Sequence, residues 1–199
     1  MKLAFALVAL LPLAGETTYY FGHHEKFVNI VFESEADIET IVGTTHTVTG
    51  EAKIDEEKKT GSVSLTVPVK SLNTGIAMRD EHLQSAMWLD AAKHPDISFV
   101  SKKSEPVKDK PGKMSVTGDF SMHGVSKEIT VVVDWKALSD EAVAKAQFPP
   151  GKWIRFNTTF DVKLSEYGVK VPDMAVSKVS DTWKVKISLF GGTAKIEKK

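Results

Sequence analysis

The 199-residue sequence contains no cysteine. Disulfide bonds, thiolate nucleophiles, thiolate-ligated metal sites and a lipid anchor on a cysteine are therefore excluded. The sequence also has no excess of charge, because 26 lysines and arginines balance 26 aspartates and glutamates. Without a basic surface to hold phosphates, we expect no nucleic-acid partner.

No apolar run reaches the roughly 20 residues that a membrane-spanning helix needs. A shorter apolar run near the N-terminus follows Lys2 and precedes small residues at Ala14 and Gly15. This order is typical of a secretory signal peptide, and a buried N-terminal strand or helix is the alternative. We predict a signal peptide over residues 1–15, one domain over residues 16–199, and a periplasmic or secreted protein without stable insertion in a membrane.

Alternation of apolar and polar residues with a period of two dominates the remaining sequence. The strands that it predicts are 27–34, 47–55, 63–70, 114–122, 129–136, 154–164 and 183–189, with a further strand that opens at Ile97. Turn signals at 55–61, 110–112 and 123–127 predict hairpins between them. About eight strands, each with one polar and one apolar face, favour a closed antiparallel barrel, because closure removes exposed sheet edges. A β-sandwich is the alternative.

Two helical segments interrupt this β-sequence. The first is predicted from residue 78 to residue 93, because Pro95 disfavours helix at the residue before it. The second is predicted over residues 139–147, where Ser139 is a suitable N-cap. The predicted fold class is therefore all-β, a single antiparallel barrel of about eight strands with one or two short helical inserts.

No motif of an enzyme or of a metal site is present. The sequence has neither a nucleophile elbow nor a phosphate-binding glycine loop, and its six histidines show no metal-ligand spacing. We therefore predict no catalytic residue and no metal ligand. A metal-dependent protein or an enzyme that uses His82, His94 or His123 is left open as an alternative.

The first helical segment carries an arginine on its apolar side. At about 100° per residue, Arg79, Leu83 and Met87 fall on the side expected to face the protein. The guanidinium either pairs with a carboxylate such as Asp80 or Glu81, or it holds a polar headgroup at the rim of a cavity.

The large inward-facing side chains of the strands fill the barrel or line a tunnel. They include Phe120, Met122, Trp135, Phe156 and Phe160. A barrel of about eight strands lies at the boundary between a solid core and one ligand cavity. Alternation alone does not decide between the two.

Several motifs carry a resemblance to a known family. In order, they are Phe32 in FESEAD, Val48-Thr49-Gly50, Ile54-Asp55, SLNTG at 71–75, RDEHL at 79–83, Trp88-Leu89, HPDISF at 94–99 and GDFSMHGVSK at 118–127. With them, residues 27–190 resemble the YceI-like family, exported lipocalin-like proteins described as polyisoprenoid binders. The sequence departs from the family pattern at residues 26–30, where an Asp-x-x-His-Ser-like start is usual, and at His94, where tyrosine is commoner.

The resemblance implies an apolar tunnel that holds a long-chain amphiphile. The expected function is non-enzymatic binding, storage or transport of an isoprenoid quinone-like or fatty-acyl lipid, with no cofactor apart from such a lipid. The residues that we predict to line the tunnel and its mouth are Leu65, Val67, Arg79, His82, Leu83, Met87, Phe99, Phe120, Met122, Val131, Val133, Phe156 and Phe160. A ligand-free stress-response or protein-interaction module is the alternative, and a homodimer is left open.

Overall fold

The computed structural model of the protein describes residues 15–195. Apart from Gly15, the predicted signal peptide lies outside the described residues. The strands are β1 Glu16–Phe21, β2 Val28–Glu35, β3 Thr40–Thr45, β4 Thr49–Asp55, β5 Thr60–Pro68, β6 Asp96–Pro106, β7 Lys113–Met122, β8 Val125–Ala137, β9 Trp153–Lys163 and β10 Thr182–Gly192. The α-helices are α1 Ala77–Gln84 and α2 Asp140–Lys145. Within the described range, no helix has both the length and the apolar character that a membrane crossing requires.

Antiparallel pairing closes the sheet into a barrel. Eight strands form a ring in the order β1-β4-β5-β6-β7-β8-β9-β10, which the pairing of Tyr20 with Gly192 closes. β2 and β3 extend the sheet from β10, and an isolated bridge between Thr44 and Asn73 ties β3 to the segment after β5. The predicted barrel with two short helical inserts is confirmed, and the sandwich alternative is wrong.

Alternation along the strands places one face of each strand inside the ring. In β7 every second residue is buried, and Met114, Val116, Phe120 and Met122 point to the interior. The predicted strands are all present, whereas β1 and β3 were not predicted. The connections β2–β3, β5–β6, β7–β8 and β9–β10 meet at one end of the barrel, which we call the mouth end.

The helix at the mouth end is shorter than predicted. α1 ends at Gln84, because Ser85 is extended with ψ of 166°, and the chain turns again at Asp90, where φ is 44°. These turns bring Leu89 back towards α1, where its backbone N–H donates to the carbonyl of Leu83 at 3.1 Å. The predicted helix over 78–93 is therefore wrong in its second half.

The second helix agrees with its prediction. α2 begins after Ser139, whose side-chain hydroxyl accepts a hydrogen bond from the backbone N–H of Ala142 at 3.2 Å. The connection that contains α2 brings Phe148 onto the ring of Trp153, with centroids 4.7 Å apart. This aromatic contact lies at the end of the barrel opposite α1.

Candidate functional site

The interior of the barrel contains an apolar cavity with a volume of about 170 Å³, which we call the inner cavity. Side chains that line it include Phe21, Ile30, Phe32, Val63, Leu65, Val67, Leu89, Phe99, Met114, Phe120, Phe156, Phe160, Trp183, Val185 and Leu189. Serines and a threonine add a few hydroxyls, but none of the described residues around it is charged. The barrel is therefore not solidly filled.

The inner cavity is large for a packing void. A buried water needs about 10–15 Å³ of such space and two to four polar partners. By that measure the inner cavity has room for on the order of ten water-sized groups. Its walls offer few polar partners, so an apolar chain suits it better than water.

A second cavity of about 320 Å³ lies at the mouth end, and we call it the mouth pocket. It is lined by Phe32, Ser34, Glu39, Ile41, Thr74, Ile76, Met78, Arg79, His82, Leu83, Trp88, Met174, Ala175, Lys178, Val179 and Trp183. Unlike the inner cavity, it combines apolar and charged side chains. The two cavities share Phe32 and Trp183.

The predicted site residues divide between the two cavities. Those on strands all line the inner cavity, namely Leu65, Val67, Phe99, Phe120, Met122, Val131, Val133, Phe156 and Phe160. Arg79, His82 and Leu83 line the mouth pocket. Met87 lines neither cavity and is 66% exposed, because α1 ends before it. Its predicted place facing the protein is wrong, and ligand contact by the other residues stays a prediction.

Arg79 is held by a carboxylate on a different part of the chain. Its Nη1 donates to Oε1 of Glu39 at 2.9 Å, and its Nε donates to the hydroxyl of Thr74 at 3.0 Å. Asp80 does not pair with Arg79 but accepts from both the backbone N–H and the hydroxyl of Thr74, at 2.7 and 2.6 Å. Of the two roles left open for Arg79, the structure contains the pairing with a carboxylate, and the partner is Glu39 rather than Asp80 or Glu81.

Two aromatic side chains line both cavities, and neither was among the residues predicted for the site. The rings of Phe32 and Trp183 are stacked, with centroids 5.1 Å apart and planes 16° from parallel. Both side chains are more than nine-tenths buried. Their strands were predicted, and the inward alternation of Trp183 with Val185 was the signal that could have identified it.

The histidines do not assemble a metal site. His94 and His123 are in contact, with ring centroids 5.0 Å apart, and Nδ1 of His123 lies 3.0 Å from the carbonyl of Tyr167. Across residues 15–195, however, no group of three or more histidines and carboxylates is placed to hold a metal ion. Among the described residues, the histidine pair therefore has no third side chain placed to complete a metal site.

A local ion pair lies in the segment after α1. Nζ of Lys93 lies 3.0 Å from Oδ2 of Asp90, and this hydrogen bond lowers the pKa of the Asp90 carboxyl. Tyr167 packs edge-on against Phe120, with centroids 5.4 Å apart, and burial is the main cause that raises the pKa of its hydroxyl. Near neutral pH the Asp90 carboxylate therefore stays ionised beside Lys93, while the Tyr167 hydroxyl stays protonated.

Comparison with known proteins identifies the family to which this chain belongs. The model of the YceI-like domain matches residues 22–190. A UPF0312 protein of Pseudomonas putida is 32% identical over 152 residues, which cover 76% of this chain and 73% of that protein.

Two solved structures share the fold at low sequence identity. Burkholderia cenocepacia BcnA superposes with a TM-score of 0.70 at 22% identity, covering 84% of this chain and 98% of that one. A polyisoprenoid-binding domain from Saccharophagus degradans, implicated in plant cell wall breakdown, has a TM-score of 0.62 at 14% identity and covers 89% and 99%. From the domain match and the curated relative together, we conclude that this chain belongs to the YceI-like family.

Proposed function

We propose that the protein binds a long-chain amphiphile, an isoprenoid or fatty-acyl lipid, and stores or transports it. The observation that carries this proposal is the inner cavity, an interior space with apolar walls and no charged side chain among the described residues around it. The proposed role is binding without catalysis, which agrees with the absence of a catalytic motif from the sequence.

The physical chemistry of the cavity favours an apolar ligand. Each methylene that leaves water contributes about 0.8 kcal/mol. A chain of about ten carbons would therefore gain several kcal/mol without any charged contact. A polar head would then lie in the mouth pocket, whose lining includes the charged residues Glu39, Arg79 and Lys178.

The isoprenoid class has support from a structural neighbour, because the Saccharophagus degradans domain is described as polyisoprenoid-binding. A periplasmic or secreted location has support from the signal-peptide pattern of residues 1–15. An exported carrier would keep a poorly soluble lipid out of water between membranes.

Native mass spectrometry of the protein purified from its own host tests the proposal, together with organic extraction of the same sample. We expect a mass adduct that extraction releases as an isoprenoid or acyl lipid. Stripped protein offered mixed isoprenoid quinones and fatty acids should take up lipid with saturable stoichiometry. A clean ligand-free mass from the host, with no uptake from the mixture, would contradict the proposed function.

A further inference from the structure

The inner cavity and the mouth pocket adjoin at the stacked side chains of Phe32 and Trp183. Each of them lines both the inner cavity and the mouth pocket, and their rings are 16° from parallel. A ligand with its chain in the inner cavity and its head in the mouth pocket would have to pass this pair. A ligand that spans the two cavities would therefore pack against the Trp183 side chain.

The indole N–H of Trp183 lacks a hydrogen-bond partner. In the described part of the chain, its Nε1 is the only buried side-chain polar atom in this condition. The other buried tryptophan is different, since Nε1 of Trp153 donates to the carbonyl of Pro149 at 2.8 Å. Native proteins pair nearly all such donors, so an unpaired donor on a side chain that lines two cavities needs an explanation.

We propose that the indole N–H of Trp183 is the hydrogen-bond donor that recognises the ligand, and that it bonds to the first oxygen beyond the apolar chain. This inference rests on the proposed function and specifies its ligand class. The ligand is an amphiphile with an acceptor oxygen, in a ketone, quinone, ester or hydroxyl, where the chain meets the head. A pure hydrocarbon would leave the donor unpaired in the bound state as well.

The guanidinium of Arg79 is less suited than the indole of Trp183 to recognise the polar head of the ligand. Arg79 already donates to Glu39 at 2.9 Å and to Thr74 at 3.0 Å, and a ligand would have to break these bonds. Trp183 has no such bond to lose. A buried donor that only the correct ligand satisfies discriminates against ligands that lack the acceptor.

Two probes with the same chain test this inference. One is a benzoquinone that carries two isoprene units, and the other is a benzene that carries the same two isoprene units and no oxygen, which we call the prenylbenzene. We expect the wild-type protein to bind the quinone about tenfold more tightly than the prenylbenzene, because the quinone adds one hydrogen bond to a previously unpaired donor. In Trp183→Phe, which keeps an aromatic ring for stacking, this preference should disappear through weaker quinone binding, while prenylbenzene binding is retained.

Trp153→Phe is the matched control, because it removes an indole N–H that is already bonded within the protein. It should keep the preference for the quinone. A preference that persists in Trp183→Phe, or that is absent from the wild type, would overturn the inference and leave lipid binding intact. Failure of the wild type to bind either probe would instead overturn the proposed function.

A measurement on the wild-type protein covers the case in which Trp183→Phe does not fold. In a ¹H–¹⁵N correlation spectrum, the indole resonance of Trp183 should move downfield with the quinone and not with prenylbenzene, because only the quinone offers an acceptor. The Trp153 resonance should stay in place with both probes. Identical shifts of Trp183 with the two probes would contradict the proposed hydrogen bond.

Discussion

The ring of Phe32 occupies the space that a side chain on Gly43 would need. The two residues are opposite each other on β2 and β3, and a Cβ built on Gly43 would overlap the ring atoms of Phe32. The same ring stacks on the indole of Trp183 at 5.1 Å. Close approach of an aromatic ring, rather than an unusual backbone angle, therefore requires glycine at position 43.

Gly43→Ala should destabilise the protein by about 1–3 kcal/mol, because the added methyl overpacks the site. Urea unfolding measures the change. Val42→Ala on the same strand is the control, since Val42 is 48% exposed and its substitution should change the free energy of unfolding by about 0.5 kcal/mol or less. In a Phe32→Leu background the cost of Gly43→Ala should shrink. An equal cost in both backgrounds would contradict the overlap.

The same position explains why β3 could not be predicted from the sequence. Gly43 and Thr45 occupy buried positions of β3, while the apolar Val42 is exposed, so the apolar–polar alternation is lost. The later strands β7 to β10 were predictable, because their buried positions carry large apolar residues. Whether their inward faces fill the barrel or leave a cavity depends on packing in three dimensions, which alternation does not encode.

Within the candidate site, the strand residues and the mouth residues on α1 were predictable, whereas the end of α1 and the partner of Arg79 were not. Periodicity correctly placed Phe120 and Phe156 inside the barrel. It could not locate the end of α1, which put Met87 on the wrong side, nor the partner of Arg79, because Glu39 is 40 residues away in the sequence. Contacts between distant segments form only through tertiary packing, so local patterns carry no signal for them.

The ion pair between Arg79 and Glu39 is predicted to hold α1 at the mouth rather than to bind lipid. The two side chains are 26% and 39% exposed, so a double-mutant cycle of Arg79→Met with Glu39→Gln should give a coupling energy of about 0.2–1 kcal/mol. Methionine keeps an apolar stem in place of the arginine stem. Lipid affinity, measured by uptake from the quinone mixture, should stay within about twofold of the wild type. A large loss of affinity in Arg79→Met without coupling to Glu39 would assign the arginine to the ligand instead.

Alkaline pH should weaken the barrel through Tyr19. This side chain is 1% exposed and donates its hydroxyl hydrogen to Oε1 of Glu56 at 2.9 Å. Burial first, and then Glu56, raise its pKa in the folded protein. The unfolded chain therefore loses this proton near pH 10 while the folded protein keeps it, and stability falls above pH 10 by at most about 1.4 kcal/mol per pH unit.

Tyr19→Phe isolates this contribution. The variant lacks only the Tyr19 hydroxyl and keeps every lysine that titrates in the same pH range. Guanidinium unfolding between pH 8 and pH 11 should give a shallower loss of stability in the variant. Parallel pH profiles of the two proteins would show that the proton on Tyr19 does not contribute.

A charge inside the inner cavity should abolish lipid loading. Phe156 and Phe120 line this cavity, and a carboxylate at either position would be desolvated by an incoming apolar chain, which is costly without a partner. Phe156→Asp and Phe120→Asp are therefore expected to lose the bound lipid, as native mass spectrometry with extraction would detect, provided that circular dichroism confirms a folded barrel. Thr159→Asp is the matched control, because Thr159 is exposed on the same strand, and it should load normally. If folded Phe156→Asp and Phe120→Asp bind lipid at the wild-type stoichiometry, the ligand does not occupy the inner cavity.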